Sequence, residues 1–300
     1  MIKLAICCVF YNNYNELKRQ LESYLPYAYD VIDHFIYIDG VYKHLANKDK
    51  SPLSNDVSRT LLLDQFDYCD ILHKLTLYDY PNKSEYDKRN EYLNICNRLN
   101  VDAMIILDSD EYFDYNPSQY YYDIYQYKKE CWPNLKKMIQ NRIEINNMML
   151  VEQRPKDRFS QLPISNNVYI FPFLDHGYHL NEYIEQDKPR LWLNPGDMSY
   201  CYNSHYHYYN KKEEQPIKDY YDANKLKYCQ PHHSLIDLSR SIRIKHDHLL
   251  STNNHKEQRE LYTAYIAKYE SLVQNGFTDE EAEELISNLS DELINKILNR

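Results

Sequence analysis

Residues 103–111 read Ala-Met-Ile-Ile-Leu-Asp-Ser-Asp-Glu, so five apolar residues run directly into three carboxylates within four positions. A short, continuous apolar run between polar turns is typical of a strand that is buried on both faces of a parallel sheet. Buried carboxylates are costly unless a cation or water compensates their charge. Because ligands of open α/β sheets bind at the carboxyl ends of the strands, this stretch predicts a divalent metal ion there, with a phosphorylated ligand on its other side.

An Asp-x-Asp triplet alone is a weak signal in a chain with 45 acidic residues, because such triplets also arise by chance. The position of this triplet, directly after an apolar strand, gives it weight. The net charge of −10 argues against a general nucleic-acid-binding protein, which would need a basic surface.

Composition also bounds the compartment. The apolar stretch 2–10 runs into Asn12 and Asn13 without a small-residue cleavage site, so we expect no signal peptide. No apolar run approaches the length of a membrane span. The seven cysteines are an odd number without zinc-type spacing, which is typical of a reducing compartment. We therefore expect a cytoplasmic protein.

Apolar periodicity predicts alternating strands and helices up to residue 111. Helices are expected after an Asn13-x-x-Glu16 capping box, over 59–66 and after Ser84. Strands are expected over 3–10, 31–38, 70–77 and 103–107. This alternation is typical of an α/β fold with a mostly parallel sheet flanked by helices.

The pattern is less regular after residue 111. We expect a loop or short helices over 112–129 and a helix from Trp132-Pro133. Strands are expected over 142–152, 167–173 and 240–245, and 190–193 is expected to pair with 199–206 around the turn 194–197. The tail should hold a helix over 257–273 and a second one capped by Thr278. This pattern predicts one catalytic domain over 1–250 (nucleotide-binding half about 1–113, acceptor half about 114–250) and a helical tail over 251–300.

Four pieces stand in a familiar order: Phe10-Tyr11-Asn12-Asn13, Asp39, Lys88-Arg89-Asn90 and Asp108-Ser109-Asp110-Glu111. Together they resemble the nucleotide-sugar-dependent glycosyltransferases of the GT-A fold, family 2 in particular, and the Asp-x-Asp-Glu subgroup related to family 92. The resemblance covers about residues 3–113 and continues loosely through Lys188-Pro189-Arg190, His205 and the segment of His246 and His248. The chain lacks the glycine that usually precedes the Arg-Asn pair. It also lacks the Gln-x-x-Arg-Trp motif of processive polysaccharide synthases.

The resemblance implies transfer, with inversion, of a sugar from a nucleotide-sugar donor, a UDP-sugar by expectation, to a glycan or other hydroxyl acceptor, with Mn²⁺ or Mg²⁺ as cofactor. It implies that Asp110 binds the metal ion directly and that Asp108 contacts the ion, a water bound to it or the ribose. The donor would also contact Phe10, Tyr11, Asn13, Asp39, Arg89 and Ser109, with Arg89 facing the diphosphate and Asp39 the nucleoside. Arg89 has a simpler interpretation as a surface partner of Glu85 or Asp87, and Asp39 as a turn former.

Two roles remain open between several residues. A histidine of the C-terminal half would complete the metal site, and we expect His205 first and His246 second. The general base that inversion requires is Asp175, with Glu182 and Asp187 as alternatives, although an aspartate before His-Gly is also typical of a turn.

Three other functions compete with this hypothesis. A nucleotidyltransferase should carry a glycine-rich phosphate loop after its first strand, but the first glycine of this chain is Gly40. A non-catalytic sugar- or nucleotide-binding protein would not need the intact Asp108/Asp110 pair. A hydrolytic metalloenzyme would pair its acids with a histidine cluster that the motif lacks.

Overall fold

The computed structural model describes residues 2–46, 50–117, 123–148, 168–176, 183–200, 208–210, 233–234, 241–247, 271–272 and 275–277. The main helices among them are α1 (Tyr14–Ala28), α2 (Ser58–Tyr68), α3 (Glu85–Leu99) and α4 (Ile124–Met148). The strands are β1 (Leu4–Phe10), β2 (His34–Asp39), β3 (Leu75–Asp79), β4 (Ala103–Asp108), β5 (Glu111–Tyr115), β6 (Val168–His176), β7 (Tyr183–Leu193), β8 (Met198–Tyr200), β9 (Tyr208–Asn210), β10 (His233–Ser234) and β11 (Ile242–Asp247). Short 3-10 helices span Lys43–Leu45, Leu72–Lys74 and Pro195–Asp197.

The main sheet has the strand order β3-β2-β1-β4-β7-β6-β11-β5, with β10 beside β6. The first four strands are parallel, whereas β7 runs antiparallel to both of its neighbours. This is the predicted fold class, a mixed α/β architecture with a mostly parallel central sheet flanked by helices, and it is consistent with a GT-A-like fold. The chain leaves β1 toward β2 and later returns to the other side of β1 as β4. Such a reversal opens a crevice at the carboxyl ends of the strands, which is where α/β proteins bind ligands.

The core lies on both faces of this sheet. Along β1, Ile6 and Cys8 belong to the apolar cluster that includes residues of α1, α2 and α4. Cys7, which lies between them, belongs to the cluster on the other face, on the side of α3. This alternation follows from the period of two in a strand. All five apolar residues of β4 are at most 1% exposed, which confirms the prediction of a strand buried on both faces.

The helix predicted after Ser84 begins with a capping box, whereas the capping box predicted at Asn13 does not form. Ser84 Oγ accepts a hydrogen bond from the backbone N–H of Asp87 at 3.1 Å, and the Asp87 carboxylate accepts from the backbone N–H of Ser84 at 3.2 Å. The prediction of a capping box at Asn13 is wrong, since the Asn13 side chain makes no capping hydrogen bond to the first turn of α1. Its Oδ1 accepts instead from the backbone N–H of Tyr11 at 2.9 Å, because the turn through Asn12 (φ 51°) leaves that donor without a strand partner.

The acceptor half departs from the sequence prediction in two places. Residues 142–148, predicted as part of a strand over 142–152, belong to α4, because Ile139 and Ile143 continue its buried face at a spacing of four. Residues 149–152 lie outside the described residues. Residues 111–115, most of which were predicted as loop or helix, form β5. They alternate between buried and half-buried and pair with β11.

Two further details are corrected. The helix predicted from Trp132-Pro133 begins at Ile124 and holds Pro133 in its interior. Among the described residues, the strands on either side of the turn 194–197 do not pair with each other, because β7 lies between β4 and β6 while β8 pairs with β9. Residues 201–206 of the predicted pair lie outside the described residues.

The strands β1, β2, β4, β6 and β11 begin and end within three residues of their predicted bounds. The strand predicted over 70–77 begins only at Leu75, because a 3-10 helix spans Leu72–Lys74.

The predicted tail helices, over 257–273 and from Thr278, lie almost entirely outside the described residues. Within the described part of the chain, no helix combines the length and the apolar composition that crossing a bilayer requires.

Gly40, directly after β2, should tolerate no side chain. Its φ is +147°, and an added Cβ would lie 2.7 Å from the Cα and N atoms of Pro81. We expect Gly40→Ala to lower the free energy of unfolding by about 2–4 kcal/mol, through backbone strain and the clash together. Urea unfolding followed by circular dichroism measures this loss.

Gly276→Ala is the matched control, because Gly276 also has a positive φ (+91°) but nothing within 4 Å of an added Cβ. It should lose only about 1 kcal/mol. Equal losses for the two variants would show that the approach of Pro81 has no energetic weight.

Candidate functional site

Three parallel strands end side by side at the edge of the crevice. In the sheet register, Phe10 of β1 pairs with Asp39 of β2, and Val9 of β1 pairs with Asp108 of β4. The acidic residues that close β2 and β4 therefore lie on either side of the end of β1. They divide the crevice into a side near Asp39 and a side near Asp108.

Asp108 is held by two arginines. Arg89 Nη2 donates to Oδ1 at 2.7 Å, and Arg190 Nη2 donates to Oδ2 at 2.8 Å. The two arginine side chains are only 5% and 8% exposed, whereas that of Asp108 is 34% exposed. The carboxylate is thus fixed from the protein side by two buried cations while part of it still faces the crevice. Arg89 also pairs with Glu85 at 2.7 Å, so the surface-pair interpretation and the site interpretation describe the same side chain.

Glu111 completes this cluster from the turn after β4. Arg190 Nη2 donates to Glu111 Oε1, and the backbone N–H of Asp108 donates to Glu111 Oε2 at 3.0 Å. Burial raises the pKa of Glu111, and the positive charge of Arg190 opposes that shift. Arg190 therefore bridges two carboxylates and fixes the shape of the Asp-Ser-Asp-Glu turn. Its Nε is buried without a hydrogen-bond partner among the described residues.

The structure brings together two residues that the sequence proposed as metal ligands. Asp110 Oδ2 lies 2.8 Å from His246 Nε2, although 136 positions separate them in the chain. Both residues are buried, with 6% and 3% of their surface exposed. They meet because β11 pairs with β5 so that His246 lies opposite Glu111.

A divalent ion needs oxygen or nitrogen ligands that converge on one point. Among the described residues, no three His, Cys, Asp or Glu side chains converge on one point. A carboxylate and an imidazole within hydrogen-bond distance nevertheless offer an oxygen and a nitrogen ligand to a transition metal. Arg19 also donates to the backbone carbonyl of Asp110 at 3.5 Å, so arginines accompany the carboxylates throughout this cluster. The residues present therefore suit a divalent cation in ligand type.

On the other side of the crevice, Asp39 is completely buried. Its carboxylate accepts hydrogen bonds from Ser54 Oγ at 2.6 Å and from Arg59 Nη1 at 2.7 Å. Tyr11 is buried beside it, and its hydroxyl donates to the carbonyl of Ser51 at 2.7 Å. Both residues, which were proposed to contact the donor, thus fasten the segment that follows residue 50 onto the strand ends.

The other residues proposed for the donor site are also buried. Phe10 is 1% exposed and packs edge-on against Tyr37, with the ring centroids 6.1 Å apart. Asn13 is 4% exposed and holds the turn after β1 through its bond to Tyr11, while Ser109 is 7% exposed within the acidic turn. These three side chains shape the strand ends from within.

The general-base candidates lie partly or wholly outside the described residues. Asp175 is in β6, and its backbone lies opposite His246 of β11, but its side chain is outside the described part. The same holds for the side chain of Asp187 in β7. Glu182 and His205 lie outside the described residues altogether. The register places Asp175 at the same sheet edge as the Asp110–His246 pair.

Two residues of this site received no role from the sequence. Arg190 stands directly before the apolar run Leu191-Trp192-Leu193, where a cation inside a buried strand signals a partner. Lys88 precedes Arg89 and is completely buried, although lysine is almost never found so. Spacing alone gave no sign of its burial.

No protein-family model and no curated protein matches this sequence. The chain is similar to three crystal structures of TarS from S. aureus. The structure of TarS 1–349 in complex with UDP is 15% identical over 47% of this chain and 33% of that chain, with a TM-score of 0.31. TarS and TarS 1–349 are each 11% identical over 64% of this chain, with TM-scores of 0.35. The chain spans 28% of the former and 47% of the latter.

Proposed function

We propose that this protein is a metal-dependent glycosyltransferase that moves a sugar from a nucleotide-sugar donor, a UDP-sugar, to a hydroxyl group of a glycan acceptor. The observation that carries the proposal is the site at the end of β4. There a partly exposed carboxylate, Asp108, lies between two buried guanidinium groups, next to the buried Asp110–His246 pair. This combination of anion-binding and cation-binding groups at the crevice of an α/β sheet suits a diphosphate with a divalent ion.

The chemistry requires stabilisation of a leaving group. When the bond between the sugar and the diphosphate breaks, negative charge grows on the phosphate oxygens. Preorganised cations in a site that excludes water stabilise such charge well, because they need no rearrangement during the reaction. Arg89 and Arg190 meet this description, since burial and the surrounding carboxylates hold them in place.

Asp110 and His246 would hold the divalent ion, which when bound supplies positive charge beside the diphosphate. Asp108, held on both oxygens, would accept hydrogen bonds from the ribose or from water bound to the ion. Asp175 would remove the proton of the acceptor hydroxyl, which a base on the far side of the sugar must do for transfer with inversion. Tyr11 and the turn after Asp39 would flank the base.

UDP should bind tightly only with a divalent ion. In calorimetric titrations we expect the dissociation constant for UDP to be at least about tenfold lower in Mn²⁺ than in EDTA, because without the ion the charge of the diphosphate lies beside the carboxylates of Asp108 and Asp110. AMP, which lacks the diphosphate, should show no such dependence. Equal UDP affinity with Mn²⁺ and with EDTA would contradict the metal dependence. Binding of UDP without donor hydrolysis or transfer to any glycan would favour a non-catalytic nucleotide-binding protein.

A further inference from the structure

Lys88, the fourth residue of α3, is a completely buried cation. Its Nζ donates a hydrogen bond to the carbonyl of Gly40 and lies 4.1 Å from the centroid of the Tyr42 ring. In the described part of the chain, no carboxylate forms an ion pair with Lys88, whereas its neighbour Arg89 has two such partners. A buried ammonium group without a carboxylate partner is expensive, so its retention indicates a role.

The carbonyl that Lys88 holds belongs to a turn with a fixed position. Gly40 packs against the backbone of Pro81, as its positive φ allows. The backbone N–H of Val41 donates to the carbonyl of Pro52 at 2.9 Å, and its carbonyl accepts from the backbone N–H of Asn82 at 2.9 Å. This turn, residues 40–46, is here called the Gly40 turn.

The Gly40 turn supplies the apolar part of the nucleoside side. Val41 and Leu45, which are 1% and 2% exposed, form a small apolar cluster with Tyr11. Tyr11 is the residue proposed to flank the base. A displacement of the turn would therefore change the shape of the pocket at that end.

Consecutive residues of α3 reach the two sides of the crevice. Lys88 contacts Gly40 near the end of β2, and Arg89 contacts Asp108 at the end of β4. The capping box at Ser84 fixes the start of the helix that carries both. The helix is thus a rigid link between the nucleoside side and the phosphate side.

We propose that Lys88 is a positioning residue for the nucleotide donor, which holds the Gly40 turn at a fixed distance from the phosphate-binding arginines without touching the donor itself. This inference rests on the proposed function. The donor should bind more tightly with this contact than without it. A pocket whose two sides are held in place before binding loses less conformational freedom when the ligand enters.

The protonation of Lys88 makes this role depend on pH, which simple packing of the side chain would not. Burial lowers the pKa of Lys88 to about 7, while the charges of Asp39 at the end of β2 and Glu85 on α3 oppose the shift. Tyr42 is the further titratable group that faces it. As the pH rises through that value, the ammonium loses its charge, so both its bond to Gly40 and its attraction to the Tyr42 ring weaken.

The test compares Lys88→Met with wild-type protein and with Lys83→Met. Lys83 is an exposed lysine whose Nζ lies 5.4 Å from the centroid of the Tyr80 ring, so its variant removes a similar contact of a cation with a ring. The variant leaves in place the backbone carbonyl of Lys83, which accepts from the backbone N–H of Lys43 at 2.9 Å. The probe is UDP with MnCl₂, titrated by calorimetry at about pH 6.5 and about pH 8.5. Hydrogen exchange of the Val41 and Lys43 amides reports on the Gly40 turn without any ligand.

Lys88→Met should bind UDP about fivefold more weakly than wild type at the lower pH and within about twofold at the higher pH. At each pH, the dissociation constant of the variant is divided by that of wild type, which removes the effect of titrations that both proteins share, including that of UDP. Exchange at Val41 and Lys43 should be about tenfold faster in Lys88→Met, and Lys83→Met should match wild type in both measurements. With a transferred sugar, KM for the donor should rise more than kcat falls.

If Lys88→Met binds UDP like wild type at both pH values, the role of Lys88 is overturned while the proposed function stands. Failure of wild-type protein to bind UDP overturns the proposed function and, with it, this role. Should Lys88→Met not fold, Tyr42→Leu replaces it, since that variant keeps the lysine and must still weaken UDP binding more at the lower pH than at the higher.

Discussion

Asp110→Asn should lower the rate of sugar transfer at least about 10³-fold, which corresponds to about 4 kcal/mol of transition-state stabilisation. The amide removes the charge that would bind the divalent ion beside His246, and the site then lacks the cation that complements the leaving diphosphate. The fold should persist, because the amide oxygen still accepts a hydrogen bond from the His246 imidazole. The melting temperature should stay within about 4 °C of wild type. A radiolabelled or coupled transfer assay and thermal unfolding measure the two quantities.

Asp114→Asn is the matched control for this variant. Asp114 is an aspartate of β5, four positions after Asp110; its side chain is 29% exposed and pairs with Arg243 at 2.7 Å. Its amide variant should transfer sugar at close to the wild-type rate. A collapse of the melting temperature in Asp110→Asn, with Mn²⁺ binding intact, would mean that the carboxylate is structural.

Arg190→Met should lower the free energy of unfolding by about 3–5 kcal/mol, which is the largest stability effect we expect from a single side chain of the site. The arginine is a partner of both Asp108 and the buried Glu111, so its removal leaves a buried carboxylate charge uncompensated. Methionine keeps much of the length of the side chain, which limits the contribution of a cavity. Chemical denaturation measures the loss.

Arg243→Met provides the comparison, because the Arg243–Asp114 pair has side chains that are 25% and 29% exposed. Solvent screens such a pair, so this variant should lose less than about 1 kcal/mol. Adding Glu111→Gln to Arg190→Met should recover part of the lost stability, since the glutamine carries no charge. Similar losses for the two arginine variants would show that the Asp108–Arg190–Glu111 cluster has no special weight.

The features that the sequence predicted correctly are those encoded locally. The β4 strand follows from five adjacent apolar residues, and the start of α3 follows from Ser84 and Asp87, three positions apart. Asp110 and Asp108 were placed at the strand end by the same adjacency. In each case, the residues that determine the feature lie within one turn or one strand of each other.

The features that were missed depend on distant partners or on residues that suit two environments. Arg190 and Asp108 are 82 positions apart, so the sequence around Asp108 does not indicate that Arg190 pairs with it. The β5 strand has tyrosines at positions 112 and 115, and tyrosine suits both a half-buried strand and a polar loop. Pro133 is tolerated within α4, although proline is more typical of a first helical turn.

The order in which the chain leaves the ribosome bears on the acidic turn. Asp108, Asp110 and Glu111 are synthesised long before Arg190 and His246, the two groups that later neutralise or bind them. Until β7 and β11 dock, these carboxylates need water, so the nascent N-terminal sheet must keep this edge wet and open. On this order of synthesis, the edge can close only after β7 and β11 have emerged, so the joining of the two halves of the protein is a late step of folding.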